Sequence, residues 1–186
     1  MTRLGPTGRI PSSGGPELFI LGGARSGKSR YAQAWVEEQT ALRTLQPVYL
    51  ATAQAFDDEM SERIDRHRQD RGEQWITIEA PLDLASAIAD EARSDRILLI
   101  DCLTLWLSNL MLAERCVDGG STELLSALSK EGAQVAIVSN EVGLSIVPDN
   151  ALARRFRDEQ GRLNQRIAEL SKAVVFVAAG LPLKLK

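Results

Sequence analysis

GGARSGKS, residues 22–29, decides how this chain folds. It fits the pattern G-x-x-x-x-G-K-[ST], with Gly22, Gly27, Lys28 and Ser29 at the fixed places. The apolar run ELFIL (17–21) precedes it and reads as a strand. SGKSRYAQAWVEEQTALR (26–43) reads as an amphipathic helix, whose apolar face is predicted from Tyr31, Ala34, Trp35 and Ala41. Strand, glycine loop and helix in that order make a phosphate cradle. Glycines let backbone N–H groups turn inward with no Cβ in the way, and the helix N-terminus adds partial positive charge. Gly22, Gly23, Ala24, Arg25, Ser26, Gly27, Lys28 and Ser29 are therefore candidate nucleotide-binding residues. Lys28 is expected to reach the β- and γ-phosphates as a catalytic group, and the Ser29 hydroxyl to ligate Mg²⁺. The ligand class is a nucleoside triphosphate.

Outward from the loop, four further apolar runs follow: PVYLATA (47–53), RILLIDC (96–102), QVAIVSNE (134–141) and AVVFVAAG (173–180). None alternates cleanly with polar residues, which suits strands covered on both faces of a parallel sheet. Helical patterns separate them: DDEMSERIDRHRQD (57–70), LDLASAIADEAR (82–93), STELLSALSKEG (121–132) and NALARRFRDEQGRLNQRIAELSK (150–172). Ser121 or Thr122 is the expected N-cap of the third of these, with Gly132 as its stop. The alternation predicts an α/β fold: a single-domain, P-loop NTPase-like, doubly wound and mainly parallel sheet with helices on both faces. Residues 17–186 form that domain. Residues 1–16, MTRLGPTGRIPSSGGP, are rich in glycine, proline and serine and read as a flexible N-terminal extension.

Ligands of such sheets bind beyond the carboxyl ends of the strands. Those ends are Gly22-Gly23, Ala51-Thr52-Ala53, Asp101, Ser139-Asn140-Glu141 and Gly180. Asp101 closes ILLID and is expected to hold Mg²⁺, directly or through water. Glu141 is left with two readings, orienting water or substrate, or forming a surface ion pair.

Composition narrows the function classes. Of 186 residues 44% are hydrophobic, and the net charge is -3, so no general basic surface invites nucleic acid. No apolar run approaches the ~18 residues of a membrane span, and the N-terminus has no apolar core of a secretory signal. A cytoplasmic location is expected. Cys102 and Cys116 read as reduced thiols, and Cys102, inside an apolar segment, as a small hydrophobe.

One stretch resists this bland account. SERIDRHRQDR (61–71) holds the single histidine of the chain, His67, among Arg63, Arg66, Arg68 and Arg71. Charged runs of this kind are usually solvated helix faces. A neutral imidazole nitrogen is also a competent nucleophile at phosphorus, and neighbouring arginines disfavour imidazolium and offset phosphate charge. At helical spacing Arg63 and Arg71 each lie one turn from His67, with Met60 and Ile64 as an adjoining apolar stripe.

Taken together, FILGGARSGKSRYA, VYLATAQAFDDEMSERIDRHR, LLIDCLTLWLSNL, IVSNEVGLSIVP and RRFRDEQGRLNQRIAE with VFVAAGLPLKLK resemble the bifunctional adenosylcobinamide kinase/adenosylcobinamide-phosphate guanylyltransferase family of cobalamin biosynthesis. The resemblance runs in order from about residue 17 to the C-terminus. It implies phosphorylation of adenosylcobinamide by ATP or GTP, then transfer of GMP from GTP onto that phosphate, giving adenosylcobinamide-GDP and pyrophosphate. It also implies a guanylylated histidine, and the matching position is His67. By the same resemblance Ala51, Thr52, Ala53, Arg68, Gln69, Asp70, Arg71, Glu79 and Asp101 line the GTP site, and the protein is a homotrimer. Where the family often carries lysine and glycine after the histidine, this chain reads RQDRGEQW. Glu79 suits pairing with guanine N1–H and its amino group; a surface glutamate ending WITIE is the other reading. Two competing functions stay open on the residues alone: a small-molecule P-loop kinase that never uses the histidine, and a non-enzymatic nucleotide-dependent switch.

Overall fold

The computed structural model describes residues 14–54, 72–130 and 134–186. Twelve elements follow one another in these: β1 (Leu18–Gly22), α1 (Lys28–Arg43), β2 (Gln46–Ala51), β3 (Ile76–Glu79), α2 (Leu84–Glu91), β4 (Arg96–Asp101), α3 (Leu103–Leu112), α4 (Val117–Leu128), β5 (Gln134–Asn140), α5 (Ala151–Leu170), β6 (Val174–Ala178) and β7 (Leu181–Lys184). The strands form one sheet in the order β3-β2-β4-β5-β1-β6-β7. Every pairing is parallel except β6 with β7.

All five expected strands are present, and each is central or nearly so. The two edge strands escape the apolar-run criterion. ITIE of β3 is only half covered, and LPLK of β7 is exposed along its length. Pro182 is tolerated in β7 because an edge strand lacks one set of ladder bonds.

Alternate residues along each strand serve different cores. Phe19, Leu50, Leu98 and Ile137 face α2, α3, α4 and α5, packing with Leu84, Trp106, Leu124 and Ile167. Ile20, Tyr49, Leu99 and Val138 face α1, packing with Ala32 and Val36. Each large apolar side chain taken fully out of water contributes ~1.5–3 kcal/mol, so both layers are needed to hold a sheet this wide.

Three local expectations change. The buried stripe of α1 is Lys28, Ala32 and Val36, with Tyr31 and Trp35 half-buried beside it, while Ala34 and Ala41 are exposed. The helix starts with Lys28 turned inward, and that sets the phase of the stripe. Helix α4 begins well before Ser121: Cys116 is its N-cap, Sγ accepting from the Gly119 N–H at 3.4 Å, and Ser121 is buried in its interior. Gly119 and Gly120 sit inside this helix. A Cβ on Gly120 would lie 3.0 Å from Leu110 Cδ1, so close packing on α3 selects glycine there. The expected stop at Gly132 lies outside the described residues. Finally, α3 follows β4 at once, a helix that periodicity did not reveal.

Packing extends ahead of residue 17. Gly14, Gly15 and Pro16 are buried, and Cβ atoms at the two glycines would meet the carbonyl oxygens of Ser129 and Leu170 at 2.1 and 2.4 Å. Among the described residues no helix is long and apolar enough to cross a membrane.

Candidate nucleotide site

β1 ends at Gly22 beside β6, and the loop to α1 is shaped by backbone that only some residues accept. Gly22 has φ 155° and an added Cβ would strike the Val177 carbonyl oxygen at 2.3 Å. Gly27, at φ 96°, is the left-handed residue from which α1 starts, its carbonyl accepting from the Tyr31 N–H at 3.0 Å. Arg25 also has positive φ, 54°, and with Ala24 is exposed at the tip of the loop. Lys28 is buried, its Nζ donating to the Gly23 carbonyl at 2.5 Å, which holds the ammonium inside the loop. Ser29 is half-buried on the first turn of α1. Glycine loop, inward lysine and helix N-terminus thus form the expected cradle.

The sheet register brings the other candidates to the same edge. Ala51 pairs with Asp101 on one side and Glu79 on the other, so the three share a face. Ala51 belongs to the core packed by α1, which identifies that face as the one at which α1 begins. Glu79 is exposed and Asp101 half-buried.

Thr52 follows Ala51 at the tip of β2. It is fully buried, and its hydroxyl both accepts from the Cys102 N–H and donates to the Cys102 carbonyl, each at 2.8 Å. It locks the tip of β2 to the end of β4, and so helps to set the position of Asp101. The Cys102 thiol is pushed up to about 11, first by burial and then by the charge of Asp101, which makes it a neutral packing group. Glu141 forms no ion pair among the described residues; Oε1 accepts from the Gly143 N–H at 2.6 Å, and its own N–H donates to the Gly22 carbonyl at 3.0 Å.

His67, Arg68, Gln69, Asp70 and Arg71 lie outside the described residues, as do Arg63 and Arg66. Gln54, the last described residue before that segment, follows directly from Ala51-Thr52-Ala53 at the tip of β2.

Helix α3 contributes side chains that sequence reasoning passed over. Asn109, buried, donates from Nδ2 to the carbonyls of Thr52 and Pro81 at 2.8 and 3.0 Å, bridging the tips of β2 and β3. Trp106 Nε1 donates to Leu82. Polar residues within LTLWLSNLML were the available signal, since a buried amide needs partners.

Among the described residues no three His, Cys, Asp or Glu side chains gather into a metal cage. Mg²⁺ carried by a nucleotide needs none, because it takes one or two protein oxygens and completes its shell with phosphate and water. The Ser29 hydroxyl and the Asp101 carboxylate are hard oxygen donors of that kind.

Comparison with known proteins agrees with this geometry. A family model described as cobinamide kinase / cobinamide phosphate guanyltransferase matches residues 18–185. The chain is 49% identical over 170 residues to the bifunctional adenosylcobalamin biosynthesis protein CobP of Pseudomonas aeruginosa, covering 90% of this chain and 96% of that one. It is 38% identical over 184 residues to the bifunctional adenosylcobalamin biosynthesis protein CobU of Salmonella typhimurium, and 36% identical over 184 residues to that of Escherichia coli, covering in each case 91% of this chain and 99% of the relative.

Proposed function

The chain belongs to the cobinamide kinase / cobinamide phosphate guanyltransferase family, and from that premise we propose how its own residues divide the two reactions. As a member it is a bifunctional enzyme of adenosylcobalamin biosynthesis, a kinase of cobinamide and a guanylyltransferase of cobinamide phosphate. One observation carries the assignment: the phosphate loop with buried Lys28, the tip of β2 and the carboxylates of Glu79 and Asp101 meet at a single edge of the sheet.

In the kinase step the substrate hydroxyl attacks the γ-phosphorus of ATP or GTP. The bond to the β-phosphate oxygen breaks, the nucleoside diphosphate leaves and the hydroxyl proton is lost. Lys28 and the loop N–H groups balance the charge on the transferring group. Ser29 and Asp101 would hold Mg²⁺, which would neutralise phosphate charge.

In the second step a neutral nitrogen of His67 attacks the α-phosphorus of GTP, and pyrophosphate departs. A phosphate oxygen of adenosylcobinamide phosphate then attacks the same phosphorus, the P–N bond breaks, and adenosylcobinamide-GDP and free His67 result. Arg68 and Arg71, with Gln69 and Asp70, flank the nucleotide in this reading, and Glu79 pairs with the guanine. The segment bearing His67 begins next to the tip of β2, which supports it.

We place the enzyme in the cytoplasm, with its nucleotide substrates, and as a homotrimer. The exposure of Leu144, Ile146 and Val147 and, on β7, of Leu181 and Leu183 supports assembly, since a neighbouring copy would cover apolar side chains that otherwise face water.

The shared site is tested by Lys28→Ala. Both phosphoryl and guanylyl transfer should fall by roughly 10²-fold or more, the scale of losing one charge-stabilising donor. Undiminished guanylyl transfer would show that the second reaction uses another nucleotide site.

A further inference from the structure

The tip of β5 is held by side chains where the sheet has run out of strand. β4 ends at Asp101, in register with Val138, two residues before Asn140. In a parallel ladder the backbone groups of successive residues point alternately to the two neighbouring strands. Glu141 points to β1, donating to the Gly22 carbonyl at 3.0 Å, so Asn140 points to the side on which β4 is finished. Both of its backbone groups are nevertheless satisfied. Its N–H donates to Thr104 Oγ1 of α3 at 2.8 Å, and its carbonyl accepts from Asn164 Nδ2 of α5 at 3.1 Å.

Asn164 is itself fixed. Its Oδ1 accepts from the Ser139 hydroxyl at 2.8 Å and from Gln160 Nε2 at 3.0 Å, and Gln160 Nε2 also lies 3.0 Å from Ser139 Oγ. Ser139 and Gln160 are fully buried and Asn164 nearly so. Buried amides are costly unless paired; both polar ends of Asn164 and the Nε2 of Gln160 are paired here, while Gln160 Oε1 finds no partner among the described residues. Asn140 stands in register with Gly22, the first residue of the phosphate loop.

We propose that Thr104 and Asn164 are positioning residues for nucleotide binding. They replace the missing strand, hold the tip of β5, and through the bond from Glu141 to Gly22 fix where the phosphate loop begins. The proposal rests on the phosphate-loop reading above and adds to it two residues remote from the glycine loop in sequence.

Three variants separate positioning from packing. Thr104→Val removes the acceptor for Asn140 N–H at nearly constant volume. Asn164→Ala removes the donor to Asn140 O. Ser139→Ala removes two bonds of the same buried cluster, the one to Asn164 Oδ1 and the one from Gln160 Nε2, but leaves both clamps on Asn140 in place. Equilibrium binding of a fluorescent GTP analogue is measured well below each melting temperature, together with thermal unfolding, with Lys28→Ala as a control that reports the phosphate loop independently. The expected result is affinity lowered roughly fivefold in Thr104→Val and Asn164→Ala, the scale of one lost hydrogen bond, with Ser139→Ala within about twofold of wild type. Affinity within about twofold in all three, or falling equally in all three along with melting temperature, would overturn the proposal. Either result can be read against Lys28→Ala, whose own loss of affinity tests the loop.

Discussion

The Gly180 N–H donates to the Ser26 carbonyl at 2.9 Å, joining the turn between β6 and β7 to the phosphate loop. Ala179 and Gly180, at φ 52° and 80°, form the two-residue turn of this hairpin, a geometry whose twist matches the strands it connects. The edge hairpin thereby acts as a wall behind the nucleotide cradle.

That wall lies close against Gly27. Its φ of 96° disfavours any side chain, and an added Cβ would lie 3.3 Å from Gly180 Cα. Gly27→Ala should cost on the order of 1–2 kcal/mol in stability and weaken GTP binding. Chemical denaturation and equilibrium binding check both. A variant as stable and as tight-binding as wild type would show that the backbone here tolerates a side chain.

Glu79 stands beside Ala51 on the face that carries Asp101. A carboxylate paired with guanine should set the choice of base. Glu79→Gln should therefore lower the preference for GTP over ATP in the nucleotidyl step by roughly tenfold, because the guanine N1–H and amino group would lose a charged acceptor. The ratio of kcat/KM values for the two nucleotides is the readout. A ratio unchanged within about twofold would make Glu79 a surface residue only.

Alkaline pH tests the packing role of Cys102. Its thiol has an ordinary value of 9.0 and is raised to about 11 when folded. Below about pH 9 the thiol is neutral in both states and its contribution is fully present; between about 9 and 11 the unfolded chain ionises first, so stability falls as pH rises. Unfolding free energy from urea titrations should drop by ~2 kcal/mol across that window, and more gently in Cys102→Ala. Equal slopes in the two proteins would contradict the buried, neutral thiol.

Much of this arrangement is legible in the sequence because its signals are local. The loop from Gly22 to Ser29 needs strand, glycines and helix in one contiguous stretch, and all are written there. Central strands such as LFILG are covered on both faces and so appear as unbroken apolar runs. What stayed hidden depends on distant partners. LTLWLSNLML is buried nearly all round, so α3 shows no polar face for a helical period to expose. Gly119-Gly120 looks like a break until Leu110 and Trp106 are found against it. The Thr52 hydroxyl is taken up by Cys102, fifty positions away, a contact that no local pattern announces. Gln160 and Asn164 occupy the buried face of α5 with Leu163 and Ile167, and only the tip of β5 explains amides in that stripe.

The central claim is that the guanylyl group passes through His67. The direct measurement is to incubate the protein with Mg²⁺ and GTP radiolabelled at the α-phosphate, denature it, and follow the label on the polypeptide. Label that is acid-labile and alkali-stable, and absent from His67→Ala, is the predicted result for a phosphorus–nitrogen bond to histidine. Wild-type protein that stays unlabelled while turning over GTP and cobinamide phosphate would contradict it.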